Sequence, residues 1–185
     1  MQILGPDGSP LPPGEVGEVW MRPPPDRARP TYEYRGAEPR ARDGGWESLG
    51  DLGWMDADGY LYLSDRRVDL ILAGGANIYP AEVEAALEEH PAVDGSVVIG
   101  LPDEELGQRV HAIVASSSPP TEDELRTFLS ERLVRYKVPR TFEFVTELLR
   151  DDAGKVRRSA LRDERAALPQ LTGTGRRRKS AKFPE

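Results

Sequence analysis

The sequence predicts an α+β fold in which a small three-stranded sheet with helices follows a β-rich stretch that ends a larger domain. Two observations predict it. Residues 1–66 carry alternating apolar runs and turn signals with no helical period. From residue 67 onward, short apolar runs suited to strands alternate with segments whose apolar residues recur at helical spacing. The expected organisation is 1–66, a β-rich end of a large domain; 67–167, a small α+β domain; and 168–185, a basic disordered tail.

The β-rich part opens on a Gly- and Pro-rich turn from Gly5 to Pro13, then alternates small or polar with apolar residues from Gly14 to Met21, as a half-buried strand does. Arg22 to Gly45 holds Pro23-Pro24-Pro25 and many charges, and reads as a long irregular connection. Trp46 to Met55 and Tyr60 to Leu63 flank Asp56-Ala57-Asp58-Gly59, whose Asp-Gly end suits a hairpin loop. About three strands and no helix cannot bury a core alone, so these residues need the rest of a sheet or barrel.

In the second part, Leu70-Ile71-Leu72 leads to a Gly74-Gly75 turn placed before a helix that Pro80 starts and His90-Pro91 ends, with Val83, Ala86 and Leu87 on one face. Ser96–Gly100 and Gln108–Ala115 read as strands. Thr121 and Glu124 make a capping box for a helix along which Leu125, Phe128, Leu129 and Leu133 recur. Pro139 ends that segment, Thr141–Val145 is a third strand, and Ser159–Ala167 has the composition of a last helix.

The 185 residues hold 38% hydrophobic and 31% charged residues, a balance that fits a globular chain. No apolar run approaches the roughly 18 residues of a spanning helix, and the amino terminus is not a secretory signal, so a cytoplasmic location is expected. Zero Cys and two His leave Lys, Arg, acids and hydroxyls to carry any chemistry. A net charge of -7 speaks against a nucleic-acid partner, with the run Arg176-Arg177-Arg178-Lys179 as a local exception.

Four segments could carry chemistry. In Trp46-Glu47-Ser48-Leu49-Gly50-Asp51-Leu52-Gly53, a fixed Asp51 carboxylate could accept two hydrogen bonds from a vicinal diol; alone, an Asp in such a turn is more often a turn former. Leu63-Ser64-Asp65-Arg66-Arg67-Val68-Asp69 lies at the junction of the two parts, where a guanidinium could pair a phosphate or serve a structural ion pair. Gly74-Gly75, ahead of Ala76-Asn77-Ile78-Tyr79-Pro80-Ala81-Glu82-Val83-Glu84, would let a thin ligand arm run along the main chain, or simply turn it; the spacing is not that of a phosphate loop. Finally, Gly154-Lys155 sits in a polar loop ahead of a helix, where an ammonium could meet charge developing between a carboxylate and an α-phosphate; a lone surface lysine is otherwise solvation.

In this order and spacing the four segments resemble the ANL superfamily of adenylating enzymes, acyl-CoA synthetases among them, across roughly residues 14–165. The resemblance implies the C-terminal lid domain of a carboxylate–CoA ligase, which activates an acid as acyl-adenylate with ATP and then forms an acyl-CoA thioester. It implies Lys155 as the catalytic lysine, Asp51, Arg66 and Leu63 at the nucleotide, Gly74 and Gly75 along the pantetheine of CoA, and a hinge at Val68. Relatives place Asp or Lys at that hinge, and Pro and Thr where Leu149 and Asp151 stand.

The family's phosphate loop and acyl pocket lie in its large amino-terminal domain, so the resemblance implies a fragment inactive without that domain. It also implies Mg2+ with ATP, its ligands outside this chain. No carrier-protein segment follows Lys155, which favours free CoA as acceptor, and the wording of residues 46–52 and 73–84 is closest to ligases of fatty, steroid-like or bile acids. The alternative is a non-catalytic interaction module, or a subunit of a split enzyme, that retains the lid fold. A third, weaker reading gives the basic tail a nucleic-acid or acidic-membrane contact.

Overall fold

The computed structural model describes residues 1–22, 24, 40–147, 149–150 and 154–167. The basic tail, most of the Arg22–Gly45 connection and Asp151 of the late motif lie outside the described residues. Among those described, no helix is long and apolar enough to cross a membrane. Two compact units divide after Val68.

Up to Arg66, the described residues of the first unit form strands and their connections. Strands β1 (Gln2–Leu4), β2 (Gly17–Trp20), β5 (Asp51–Met55) and β6 (Leu61–Arg66) form an antiparallel sheet in the order β1-β2-β5-β6, and β3 (Arg40–Arg42) pairs with β4 (Trp46–Ser48). Among its described residues, Ile3, Leu4, Val19, Trp20 and Leu52 are the buried apolar ones.

Two details differ from the sequence expectation. Trp46–Met55 is not one strand: Gly50, at φ 80°, breaks it into β4 and β5, because the chain there enters the left-handed region that only glycine adopts readily. Within the expected irregular connection, Arg40–Arg42 pairs with Trp46–Ser48. The hairpin loop falls where Asp-Gly predicts it, with Gly59 at φ 86° and Asp56 accepting the N–H groups of Asp58 and Tyr60 and the Tyr62 hydroxyl.

The second unit is the α+β part. Its central strand, β10 (Gly107–Ala115), pairs antiparallel with β9 (Gly95–Asp103) along its whole length and parallel with β11 (Thr141–Val145) on the other side. Those are the three strands expected. A short hairpin, β7 (Ile71–Ala73) and β8 (Ala76–Ile78), extends the sheet to five, joined through Gly107 opposite Ala73. Gly74-Gly75 is therefore the two-residue turn of a hairpin and not the lead-in to a helix. Positive φ at both positions, 58° and 81°, matches the turn whose twist follows that of paired strands.

Helices cover both faces of this sheet. On one face α1 (Pro80–Glu88) and α2 (Glu122–Ser130) bury Val83, Leu87, Leu125 and Leu129 against Val98, Val110, Ala112 and Val114. On the other, Leu161 of α3 (Arg158–Ala166), with Leu149 and Val156 of the loop before it, packs on Val97, Ile99, Leu101 and Ile113. The alternation of Val97, Val98 and Ile99 between faces is the period of two that a strand covered on both sides requires. The capping box is present, with Thr121 Oγ1 accepting the Glu124 N–H and the Glu124 carboxylate accepting the Thr121 N–H. α2 ends at Ser130, and Leu133 joins the core from the following turn.

Candidate functional site

In the first unit the sheet gathers three of the expected nucleotide residues. Asp51 opens β5 and lies directly opposite Arg66, which ends β6. Leu52 faces Asp65, but Gly53 faces Leu63, so Ser64 is an extra residue in β6. Without that bulge, Leu63 and Arg66, three apart, would point to opposite faces of the sheet. With it, Asp51, Leu63 and Arg66 share one face, because directly opposed residues project to the same side. Asp51 is half-buried, whereas Arg66 and Leu63 are exposed, Leu63 at 65%. The other face holds Trp54 stacked on Tyr62, ring centroids 4.2 Å apart.

A second set of contacts holds the Gly50-Asp51 corner. The Ser48 hydroxyl accepts the Gly50 N–H at 3.1 Å and donates to Glu18 at 2.8 Å, while the Gly50 carbonyl accepts the Arg67 N–H at 2.8 Å. Glu18 also pairs with Arg40 at 3.1 Å. The backbone on both sides of Asp51 is thereby fixed to β2, β4 and the end of β6. Sequence reasoning missed Glu18 and Ser48; the short polar residue two before a positive-φ glycine was their only local signal.

Val68 is 74% exposed and sits in the single helical turn Arg67–Asp69, at the point where the compact units divide. The Gly74-Gly75 tip is exposed. The Gly74 N–H reaches the Leu106 carbonyl at 2.9 Å, and a Cβ at Gly74 would lie 3.1 Å from Leu106 Cδ2, whereas one at Gly75 would meet no atom within 4 Å. The facing turn is held by Asp103, which accepts the N–H groups of Leu106 and Glu105; these bonds keep its carboxyl below the usual carboxylate range.

Lys155 is exposed on the loop that closes over the β9–β10 face, directly after Gly154 at φ 71° and three residues before α3. Both sides of this loop lead to one buried side chain. Glu84, on the inner face of α1 with 5% of its side chain exposed, accepts the Val98 N–H at 2.8 Å and, through its two oxygens, the single Arg158 nitrogen Nη2 at 2.7 and 2.8 Å. Arg150 Nη2 reaches the same carboxylate at 3.4 Å. In the sequence Glu84 reads as a charge near a helix N-terminus, and nothing local announces partners 66 and 74 residues away.

A second, half-buried acid, Glu143 on β11, takes the Arg165 guanidinium at 2.6 Å and lies 3.6 Å from His111 Nε2. Burial alone would push its carboxyl up, but the nearby His111 ring and the Arg165 bonds outweigh it and hold the group down at about 2. Among the described residues, no group of three His, Asp or Glu could hold a metal ion.

Residues 82–155 match the family of AMP-binding enzyme C-terminal domains, the match ending on Lys155. Residues 82–155 are thus an AMP-binding enzyme C-terminal domain. It is 42% identical over 167 residues to a fatty acid–[acyl-carrier-protein] ligase of Streptomyces coeruleorubidus, covering 88% of this chain and 31% of that protein. It is 44% identical over 158 residues to the 2-succinylbenzoate–CoA ligase of Geobacillus kaustophilus, covering 84% of this chain and 32% of the other.

The fold is similar to that of the Bacillus subtilis o-succinylbenzoate CoA synthetase in complex with its acyl-adenylate intermediate: TM-score 0.75, 37% identity, 88% of this chain and 34% of that one. The same synthetase has been solved with ATP and magnesium. The chain spans about a third of the length of the relatives it matches.

Proposed function

We propose that this chain works as the carboxyl-terminal part of an AMP-forming carboxylate–CoA ligase, with an amino-terminal portion supplying the ATP phosphate site and the acyl pocket. In the first half-reaction a carboxylate oxygen attacks the α-phosphorus of ATP, the bond to the β-phosphate breaks, and pyrophosphate leaves. In the second, the CoA thiol loses its proton and attacks the acyl carbon, and AMP departs.

Each expected residue has a chemical task in that scheme. Asp51 accepts the two ribose hydroxyls, as a carboxylate with two acceptor oxygens does for a vicinal diol. Arg66 beside it carries the charge and planar donors that suit ribose oxygen or phosphate, and Leu63 offers apolar surface on the same face. Lys155 brings an ammonium to the charge that builds between carboxylate and α-phosphate in the transition state, which is where a charge is worth most. Gly74 and Gly75, without Cβ atoms, let pantetheine pass the hairpin tip. Val68 is the pivot that lets one domain serve both half-reactions.

The observation that carries the proposal is that Asp51, Leu63 and Arg66 share one sheet face, in a chain whose C-terminal domain matches the adenylating family as far as Lys155. ATP with Mg2+ and CoA are the expected cofactors, and the residues present suit the sugar of ATP rather than the metal. The acid class, fatty, steroid-like, bile or aromatic, is set by the amino-terminal portion. A carrier-protein thiol is the competing acceptor, favoured by the Streptomyces relative.

The test is reconstitution. Joined to the amino-terminal portion of the Bacillus subtilis 2-succinylbenzoate–CoA ligase, the chain is expected to release AMP from ATP in the presence of acid and CoA, and to release none by itself. A folded chimera that binds ATP but forms neither adenylate nor thioester would contradict the proposal and favour a non-catalytic module. Thioester formed on a carrier protein but not on CoA would overturn the choice of acceptor.

A further inference from the structure

We propose that Glu84 and Arg150 are positioning residues for Lys155, with Glu84 tying both sides of the lysine's loop to the sheet. The proposal rests on the reading of Lys155 as the adenylation lysine and adds how that lysine is aimed.

A carboxylate with 5% of its side chain exposed is costly to bury unless its lone pairs are filled, and Glu84 fills them unusually. One partner is the Val98 N–H of β9, which anchors the carboxylate to the sheet. The others come from the two sides of Lys155. Downstream, one Arg158 nitrogen, Nη2, donates to both oxygens at 2.7 and 2.8 Å, a short charge-assisted contact shared across the carboxylate. Arg158 is the first residue of α3, so Lys155 lies within about 11 Å of chain from that anchor.

Upstream, Arg150 bridges two groups. One arm reaches Glu84 at 3.4 Å and the other reaches the Gly154 carbonyl, also at 3.4 Å. That carbonyl belongs to the peptide bond joining Gly154 to Lys155. The guanidinium therefore connects the buried carboxylate to the backbone of the lysine itself, through contacts long enough to be weak and adjustable.

The same network extends to the base of the domain. Asp69, next to Val68, lies 3.5 Å from both Arg158 and Arg162, which follow each other by one turn on α3. Arg158 thus joins the residue after the expected pivot to the carboxylate that holds the lysine loop. None of these groups needs to touch substrate.

Two variants and one control test the proposal. Arg150 is 43% exposed, so Arg150→Ala leaves the core intact, and Glu84→Gln removes the charge while keeping an oxygen for the Val98 N–H. In the 185-residue chain, amide hydrogen exchange of the peptide 149–157 is expected to rise by about fivefold in either variant, with β10 unchanged. In the reconstituted enzyme, both variants should lower kcat for adenylation by a similar factor, leave KM for ATP unchanged, and spare thioester formation from preformed adenylate. Arg150→Lys, which restores a cation without the two-armed fork, should rescue only partly.

Unchanged exchange in both variants, or equal loss of both half-reactions, would overturn the positioning role and leave Glu84 as a folding residue. The control Lys155→Ala separates the two claims: if it adenylates normally, the catalytic reading of the lysine fails, whatever Glu84 does.

Discussion

Asp51 and Arg66 stand opposite each other at the end of the β5–β6 ladder, and the extra residue Ser64 brings Leu63 round to the same face. An acid, a guanidinium and an apolar side chain thereby share one patch although they span sixteen positions of the sequence. The corner that starts β5 depends on Gly50 at φ 80° and on the Ser48 hydroxyl that caps its N–H.

From this arrangement Asp51→Ala is expected to raise KM for ATP in the reconstituted ligase by roughly tenfold to a hundredfold, the range for losing hydrogen bonds to a charged group. Arg66→Ala should act in the same direction. Steady-state kinetics at varied ATP checks both, and an unchanged KM in the Asp51 variant would return that residue to a turn-forming role.

At the hairpin tip the two glycines should separate. Gly75→Ala adds a methyl group with no atom of the chain within 4 Å, so its stability cost is the backbone strain of positive φ alone, about 1 kcal/mol. The same methyl group obstructs pantetheine, so thioester formation should slow while adenylation persists. Gly74→Val, whose added Cβ crowds Leu106, should destabilise the domain further. Thermal unfolding and the two half-reactions, measured separately, check the pair.

Acid stability of the second unit should depend on Glu143. Its folded-state value, about 2, lies below the ordinary 4.5, so the carboxylate's contribution is fully present above 4.5 and is lost as pH falls from there through about 2. Glu143→Gln should lower Tm at pH 7, and the gap from the parent chain should narrow across that acidic window. A gap that is constant from pH 7 to pH 2 would show that the Arg165 bonds and the neighbouring His111 ring add nothing through charge.

Much of this was legible in the sequence because the signals are local. Thr121 and Glu124 announce a helix start within four residues, Pro80 announces another, and Asp58-Gly59 announces a hairpin. The sequence predicts three of the five strands, because β7 and β8 have only three residues each, too few for a period of two to register. The Ser64 bulge and the Glu84 clamp were illegible for a different reason. One depends on the register of a partner strand, and the other on side chains that approach only after the sheet has formed and α3 has packed on it. Lys155, Asp51 and Arg66 stand out as a set by resemblance; alone, Lys155 reads first as surface charge, Asp51 first as a turn former, and Arg66 equally well as half of a structural ion pair.

The most direct measurement is a split of the two half-reactions in the reconstituted Lys155→Ala enzyme. Adenylate formation, followed by pyrophosphate release in a single turnover, is expected to fall by about a hundredfold to a thousandfold, while CoA thioester formation from preformed acyl-adenylate proceeds at the parent rate. Adenylate formation at the parent rate, in a variant with unchanged folding, would contradict the account.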